Sequence, residues 1–348
     1  MAKIVAVIPA RSGSKSVIDK NIRIMNGKPL IAYSIEIALL SKYIECVIVS
    51  TDNEKYAGIS RGYGAEIPFI RPSDISQDTS LDIDVFKHYL DYMHKEGLEI
   101  PEILVHLRPT HPIRDVEDID KMIEIILSNP DIDSIRSMSP VKQIPFKMWT
   151  FNENGLVSPV AICDIKEAYN APRQILPQVY IQNACIDVIR KDTIIRKNSM
   201  TGDRIYGYKM NYDFDIDTEE DFNRVEQYQM LRNIIDEGRH AKVVCDIDGV
   251  IAQKTNDNNY YEATPNIGNI SLINRLYENG NEVILFTARG YATKIDWEET
   301  TQKQMKQWGV KYSQLLFGKP DADFYIDDKL LDIELLQIYC NNHNKINK

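Results

Sequence analysis

Cations and hydroxyls cluster just after the first apolar run of the chain. Residues 4–8 are apolar and predict a buried parallel strand, which Pro9 ends. A polyphosphate at the carboxyl end of a strand needs small residues, backbone amides and positive charge. The next segment supplies candidates for all three, namely Arg11, Ser12, Gly13, Ser14, Lys15, Lys20 and Asn21. The alternative is an ordinary loop with solvated basic residues, but the spacing of the cations favours a phosphate site.

An acidic pair stands about two-thirds of the way along the chain. Asp215 and Asp217 are two residues apart, so alternation in a strand places both carboxylates on one face. Two carboxylates at that spacing can bind one Mg²⁺, which in turn binds phosphate oxygens. Thr218 is predicted to cap a helix that begins at Glu219. A solvated acidic helix start is the alternative, and it explains Glu219 better than it explains the pair.

A further acidic pair follows a second apolar strand. Residues 241–245 lead into Asp246 and Asp248, and Gly249 comes next. Two charges at the end of an apolar strand are costly unless they are used. The segment after it contains a threonine following a strand, Thr287, and a lysine after Phe317-Gly318, Lys319. An Asp327-Asp328 pair follows residues 324–326, which read as another strand.

The pattern of elements predicts an α/β protein with two doubly wound parallel-sheet domains. Strands are predicted at 46–50, 69–72 and 103–107, and helices at 28–40, 57–63, 82–94 and 116–127. Ligands bind such sheets at the carboxyl ends of the strands, where Arg11, Asp52, Arg71 and Arg108 all fall. The predicted domains cover 1–230 and 241–340, with a polar linker at 231–240.

Composition narrows the class of protein. The net charge of -10 over 348 residues argues against a nucleic-acid footprint. No apolar run approaches the length of a membrane span, and the N-terminus enters a strand without a signal peptide. The five cysteines are scattered, with no CxxC pair, and Cys46 and Cys245 read as buried free thiols. We therefore expect a protein of the reducing cytoplasm.

The first loop, PARSGSKSVIDKN, matches neither GxGxxG nor GxxxxGK[ST], which argues against an NAD-dependent oxidoreductase. It resembles the PARxGSKxxxxKN signature of the CMP-sialic acid synthetase family of cytidylyltransferases. That resemblance implies a nucleotide-diphospho-sugar transferase-like fold, CTP as substrate and Mg²⁺ as cofactor. It implies that Asp215 and Asp217 are the metal ligands. It also implies that CTP is contacted by Arg11, Ser14, Lys15, Lys20 and Asn21.

Further blocks carry the same resemblance over about two-thirds of the chain. From IRP and RQILPQVYIQN, Arg71 and Asn183 are expected to contact the nucleotide, and Arg173 the carboxylate of an acid sugar. Two positions depart from the family. It usually has a glutamine, in QPTSP, where Arg108 stands, and a tyrosine, in NGAIY, where Asp187 stands. We expect Arg108 and Asp187 to bind the substrate and to read other hydroxyl or amino substituents, so a related nonulosonic acid fits better than sialic acid itself.

The C-terminal motifs resemble those of the haloacid dehalogenase superfamily. By that resemblance Asp246 would attack phosphorus, and Asp248 would protonate the leaving alcohol and then activate water. Thr287 and Lys319 would bind the transferring phosphoryl group. Asp327 or Asp328 would complete an Mg²⁺ site with Asp246 and Asp248.

Together these motifs predict a bifunctional enzyme. The first domain would transfer CMP from CTP to a sialic-acid-like sugar and release pyrophosphate, and the second would dephosphorylate a sugar phosphate of the same pathway, for surface glycan synthesis. The alternative is a single-activity cytidylyltransferase for another acid acceptor, with the C-terminal domain serving oligomerisation. The aromatic segment 137–173 matches a part of the family that packs on a partner subunit, which implies a homodimer or homotetramer.

Overall fold

The computed structural model describes residues 3–14, 17–141, 143–236, 240–255, 259–322 and 331–343. The chain divides into two compact units, Met1–Val225 and Glu226–Lys348. None of the described helices is long and apolar enough to cross a membrane.

The first unit is built on a six-stranded sheet, with two further two-stranded sheets, β2-β3 and β7-β8. The described strands of this unit are β1 (Ile4–Pro9), β2 (Ile24–Met25), β3 (Lys28–Pro29), β4 (Cys46–Ser50), β5 (Ile103–Leu107), β6 (Ser134–Pro140), β7 (Trp149–Phe151), β8 (Val157–Pro159), β9 (Tyr180–Arg190) and β10 (Ile205–Lys209). Its helices are α1 (Leu30–Leu39), α2 (Glu54–Gly62), α3 (Asp82–Lys95), α4 (Val116–Ser128) and α5 (Lys191–Ile195), and α6 (Glu219–Asp236) begins in it.

The main sheet is mixed, with the order β10-β6-β9-β5-β1-β4. The prediction of a wholly parallel sheet was wrong here, because β9 runs antiparallel to both β5 and β6. β1 lies between the parallel strands β4 and β5, and helices cover both faces. For that reason β1 is a continuous apolar run rather than an alternating one. Val5, Val7 and Leu104 pack with Phe86 and Tyr89 of α3 in one buried cluster.

A small subdomain leaves the main sheet between β6 and β9. It contains the hairpin of β7 and β8 and three short 3-10 turns. Its own core is small and consists of Phe146, Ala168 and Leu176. Several apolar side chains around that core remain exposed, including Phe151 and Ile162.

The second unit contains a small parallel sheet of three described strands in the order β11-β12-β13. These strands are β11 (Lys242–Cys245), β12 (Glu282–Thr287) and β13 (Gln314–Phe317), and the helices are α7 (Ile267–Glu278), α8 (Glu298–Gln307) and α9 (Ile333–His343). The parallel pairing places Cys245, Thr287 and Phe317 at one edge of the sheet. The strand predicted at 324–326 lies outside the described residues.

Two predicted strands are absent from the described structure. Residues 69–72 form an irregular segment that leads into a 3-10 turn, Ser73–Ile75. Residues 210–217 have no strand partner, although Tyr212, Phe214 and Ile216 are buried in alternation. Helix α6 also continues through Asp236, so the predicted linker at 231–240 begins as helix.

Candidate active site

The loop after β1 is held in shape by a carboxylate of the neighbouring strand connection. Asp52, which follows β4, accepts a hydrogen bond from the Ser12 amide at 2.7 Å and another from the Ser12 hydroxyl at 2.8 Å. Gly13 has a φ of +74°, a conformation that favours glycine, and a Cβ there would meet no atom within 4 Å. The loop is therefore braced on one side and open at Gly13, next to Ser14.

Lys20 and Asn21 hold the predicted phosphate loop, residues 10–21, against the rest of the unit. The Asn21 amide donates to the carbonyl oxygen of Arg11 at 3.0 Å. The Lys20 ammonium donates to the carbonyl oxygen of Ile216 at 2.5 Å and lies 3.7 Å from a carboxylate oxygen of Asp217. Both side chains are nearly buried. The predicted phosphate cation Lys20 and the predicted metal ligand Asp217 are therefore neighbours.

The other predicted nucleotide cations differ in their surroundings. Arg11 forms an ion pair of 2.7 Å with Asp78 and is about one-third exposed. Arg71 is 4% exposed and donates to Ser76 at 2.9 Å. Burial lowers the pKa of its guanidinium, although nearby Asp52 opposes that shift. Lys15 lies outside the described residues.

Residues 213–217 carry the acidic pair, and the loop after β5 supports them. The Ile216 amide donates to the carbonyl oxygen of Thr110 at 2.9 Å, and the Phe214 amide donates to Nε2 of His111 at 3.0 Å. Since Nε2 accepts, Nδ1 carries the ring proton and donates to the Ile113 carbonyl at 3.2 Å. His111 is fully buried. The acidic segment is thus fixed from one side by Thr110 and His111 and from the other by Lys20.

Thr218 caps α6 as predicted. Its hydroxyl accepts from the Asp221 amide at 3.1 Å, while the Asp221 carboxylate accepts from the Thr218 amide at 2.9 Å. Such reciprocal bonding satisfies backbone donors at the start of a helix. The cap fixes the point at which the chain leaves the acidic segment.

The two aspartates fit a divalent cation. Burial raises the pKa of Asp215, and the charge of nearby Asp217 adds to that rise. A cation between the carboxylates would relieve this repulsion. In the described part of the chain no three His, Cys, Asp or Glu side chains gather as a metal site. Mg²⁺ is usually bound by one or two carboxylates with phosphate oxygens and water, and the pair suits that mode.

Arg108 and Asp187, the two departures from the family pattern, contact each other. Arg108 Nη1 donates to Asp187 Oδ2 at 3.2 Å, and Nη2 donates to Asp82 at 2.8 Å. Burial opposes the charge, but Asp82 and Asp187 outweigh it and raise the pKa of Arg108. Arg136 binds Asp187 from the other side, with Nε 2.8 Å from Oδ1. Asp187 is 2% exposed, so its carboxylate lies beneath the two arginines.

The strands around Asp187 are irregular. Arg136 pairs with Asp187 and Met138 with Gln182, so Ser137 of β6 faces four residues of β9. Ala184 in that stretch has a φ of +54°. The Ser137 hydroxyl fills the gap, since it donates to Asn183 at 2.6 Å and accepts from the Ile186 amide at 2.9 Å. Bulges next to active sites commonly re-aim side chains.

Asn183 and Arg173 lie outside the group of contacts that joins residues 10–21 to the acidic segment. The Asn183 amide is 2% exposed and donates to Ser139 at 2.9 Å. Arg173 is exposed on a 3-10 turn of the subdomain. Their expected contacts with nucleotide and acid sugar remain predictions.

In the second unit, three of the predicted catalytic residues meet at one edge of the sheet. Lys319 donates to an Asp246 carboxylate oxygen at 2.5 Å, and its amide donates to the carbonyl oxygen of Thr287 at 3.2 Å. Thr287 is fully buried. The strands thus bring Asp246, Thr287 and Lys319 close together, while Asp327 and Asp328 lie outside the described residues.

Asp248 is bound by a buried arginine to which we assigned no role. Arg289 donates from Nε and Nη2 to the two Asp248 oxygens, at 2.9 and 2.8 Å. Nη1 donates to Gln304 at 2.7 Å, and the guanidinium lies 4.7 Å from the ring centre of Tyr260. One guanidinium therefore engages both oxygens of Asp248 in a bidentate pair.

Some site residues could not be identified from the pattern. Arg136 lies in no predicted element or motif, and its partner Asp187 is about fifty residues away, so the pair has no local sequence signal. His111 follows the predicted strand 103–107, but nothing in its spacing indicates a bond to Phe214. Arg289 follows Thr287 by two residues, and that spacing was the available signal.

The sequence profile of the Cytidylyltransferase family matches residues 5–279. An N-acylneuraminate cytidylyltransferase of Streptococcus agalactiae serotype V is 33% identical over 228 residues, which are 64% of this chain. This match covers 52% of the Streptococcus enzyme, so the chain spans about half the length of that relative.

A shorter relative is matched almost from end to end. The CMP-N,N'-diacetyllegionaminic acid synthase of Legionella pneumophila is 32% identical over 235 residues, with 66% of this chain and 97% of that enzyme covered. Among solved structures, CMP:2-keto-3-deoxy-manno-octonic acid synthetase complexed with CTP superposes with a TM-score of 0.50 at 17% identity. It covers 66% of this chain and all of the other, and it shows the shared fold.

Proposed function

The chain belongs to the cytidylyltransferase family, and we propose that its first unit transfers CMP from CTP to an acid sugar and releases pyrophosphate. The observation that carries this proposal is the position of the Lys20 ammonium, between the carbonyl oxygen of Ile216 and the carboxylate of Asp217. The contact supports the proposal because nucleotidyl transfer needs phosphate-binding cations close to carboxylates that can hold a metal ion.

The acceptor would be a nonulosonic acid of the sialic or legionaminic type. The relatives from Streptococcus and Legionella are named for such acids. Arg108 and Asp187 stand where the sialic acid synthetases usually have a glutamine and a tyrosine, and this favours a related acid over sialic acid itself.

The residues of the first unit divide the work. Arg11, Ser14, Lys15 and Asn21 bind the triphosphate, and Lys20 neutralises negative charge that develops on the phosphate oxygens during transfer. Asp215 and Asp217 would hold Mg²⁺, which polarises phosphate oxygens and draws the reacting oxygens together when it is bound. Arg71 and Asn183 would contact the nucleotide, and Arg173 the sugar carboxylate.

The test is direct. Purified protein with Mg²⁺, CTP and a panel of acid sugars should release pyrophosphate and form a CMP-sugar with at least one of them. Phosphate should be read separately, so that the second unit does not contribute to the signal. Hydrolysis of CTP with no CMP-sugar for any acid would contradict the proposal.

We also propose that the second unit is a sugar-phosphate phosphatase. Lys319 against the Asp246 carboxylate, with Thr287 beside them, supports this, because an aspartate nucleophile needs positive charge near the incoming phosphoryl group. Asp248 would serve as acid and base, and Asp327 or Asp328 would complete an Mg²⁺ site. Asp246→Asn should abolish phosphate release from the matching sugar phosphate and leave CMP transfer intact.

The alternative for the second unit is a role in oligomerisation only. Arg289 gives this alternative a specific basis, because its bidentate bond occupies both oxygens of Asp248, the atoms that would have to take part in proton transfer. In that case Asp246→Asn would leave every activity unchanged. A change in the sedimentation behaviour of a chain truncated after Asp236 would then support the oligomerisation role.

The assembly we propose is a homodimer or homotetramer formed through the subdomain of β7 and β8. Phe151 and Ile162 are 78% and 86% exposed, and such apolar side chains are usual in subunit interfaces. Phe151→Asp should shift the sedimentation coefficient toward that of the monomer. The setting would be the cytoplasmic supply of activated sugar for a surface glycan.

A further inference from the structure

The most informative charged group outside the phosphate loop is the set Arg108, Arg136, Asp187 and Asp82. Asp187 accepts from both arginines, and Asp82 accepts from Arg108. The two positive and two negative charges balance. His106 is buried beside them, and burial, with Arg108, lowers its pKa to about 4, so it adds no charge at neutral pH.

The arginines are not saturated by these contacts. A guanidinium has five N–H groups. Among the described residues, Arg108 uses three of them, on Ala184, Asp187 and Asp82. Arg136 also uses three, two on Asp187 and one on Gln182 at 2.8 Å. Each side chain is about one-fifth exposed, at 21% and 19%, so neither arginine is closed off from solvent.

Asp187 differs from them in access. Its side chain is 3% exposed, and both of its oxygens accept from arginine. Because the carboxylate is buried beneath the arginines, a sugar would have to displace one of them to reach it. Its effect on a ligand is therefore exerted through the two guanidinium groups that it holds at fixed positions.

We infer that Arg136 and Arg108 form one recognition element for an uncharged oxygen on the acceptor, an N-acyl carbonyl, and that Asp187 is their positioning residue. This inference rests on the proposed function, because it names the substituent that the same site reads. A neutral cluster has no net attraction for a second carboxylate. Free guanidinium N–H groups beside a paired carboxylate instead donate well to a carbonyl oxygen.

The strand geometry supports a role in recognition. Arg136 pairs with Asp187 across β6 and β9, and the irregular stretch of β9 begins beside this pair. The bulge lets Ala184 adopt its positive φ and turn its carbonyl oxygen toward Arg108 at 3.3 Å. An undistorted ladder would satisfy the same backbone groups without reaching the arginine.

The experiment uses CTP with acid sugars that differ at one carbon only, bearing an N-acetyl group, a hydroxyl or a free amine. We expect the unaltered chain to prefer the N-acetyl sugar. Arg136→Gln should reduce that preference, as a ratio of kcat/KM values, by about tenfold, since a hydrogen bond from a charged donor is lost. The KM for CTP should not change.

The controls separate recognition from folding. Arg196→Gln removes an exposed arginine that pairs only with Asp192 in the described structure, and it should leave the ratio unchanged. Arg136→Lys should give an intermediate ratio, because it keeps the charge without the fork of donors. Asp187→Asn should lower the ratio as well, and combining it with Arg136→Gln should add little.

Three outcomes overturn the inference. If Arg136→Gln lowered kcat/KM equally for all three sugars, Arg136 would have a structural role only, while CMP transfer itself would still be established. If the unaltered chain preferred the sugar with the free amine, recognition of that substituent would be assigned to the Asp82 carboxylate instead of the arginines. Absence of turnover with every acid sugar would remove the proposed function and the inference with it.

Discussion

The side-chain nitrogen of Lys20 lies 3.7 Å from a carboxylate oxygen of Asp217, although one residue follows the first strand and the other precedes α6. The same nitrogen donates to the backbone at Ile216. A buried ammonium is costly unless it is paired, and here the pairing joins the phosphate loop to the acidic segment.

Lys20 should therefore affect catalysis more than stability. We expect Lys20→Met to lower the kcat of CMP transfer about a hundredfold, the size of effect seen when one charge-stabilising donor is removed. Lys20→Arg should retain more activity, because the charge stays. Steady-state kinetics and thermal unfolding of both variants check this, and an equal loss in the two variants would contradict it.

Asp52 should control the shape of the phosphate loop. It accepts from both the amide and the hydroxyl of Ser12, and Asp52→Asn replaces one acceptor with a donor. We expect the KM for CTP to rise roughly tenfold, the equivalent of one charge-assisted hydrogen bond. Asp91→Asn, at an exposed position of α3, is the matched control and should leave that KM unchanged.

His111 should position the acidic pair. His111→Leu leaves the Phe214 amide without its acceptor, at a cost of about 1–3 kcal/mol. We expect the Mg²⁺ concentration for half-maximal activity to rise several-fold. His111→Gln keeps an oxygen that can accept from the same amide, so its half-maximal Mg²⁺ concentration should lie between those of the unaltered chain and His111→Leu. Titration of activity with Mg²⁺ measures the effect, and unchanged curves for both variants would refute it.

The fold shows where sequence patterns are informative. The strands Cys46–Ser50 and Ile103–Leu107 were predicted at their observed bounds, and α3 and α4 were predicted within a residue at each end. These elements have uniform apolar runs or a clear 3.6-residue period, so burial alone defines them.

The antiparallel direction of β9 could not be predicted in the same way. Residues 185–189 are buried as in a parallel strand, and the direction depends on the path of the chain through the subdomain before it. The segment at 210–217 alternates like a strand because one side faces the core, yet it forms no strand, although the Met210 amide donates to Met138 of β6. Contacts such as Arg136 with Asp187 depend on this register and are invisible until the strands are paired.

Asp133 provides a test of stability against pH. Its carboxylate accepts from Lys197 and from the amides of residues 203 and 204, and these bonds, Lys197 first, lower its pKa to about 2. Because the folded pKa is below the unfolded one of 3.8, its contribution is complete above pH 3.8 and is lost as the pH falls toward 2.

Asp133→Asn should therefore destabilise the first unit at pH 7 by about 1–2 kcal/mol and have little effect at pH 2. Urea unfolding at both pH values measures this. Asp131→Asn, at a mostly exposed neighbouring position, is the control, and it should change stability little at either pH. Equal destabilisation by Asp133→Asn at pH 7 and pH 2 would contradict the assignment.

The measurement that tests the central claim most directly is pyrophosphate release from CTP and an acid sugar by Asp217→Asn beside Glu220→Gln. Both changes remove one negative charge from the same acidic stretch, and Glu220 is exposed at the start of α6. The account predicts that Asp217→Asn abolishes release at every Mg²⁺ concentration while Glu220→Gln retains nearly all of it. Equal activity in the two variants would show that the acidic pair is only a solvated helix start.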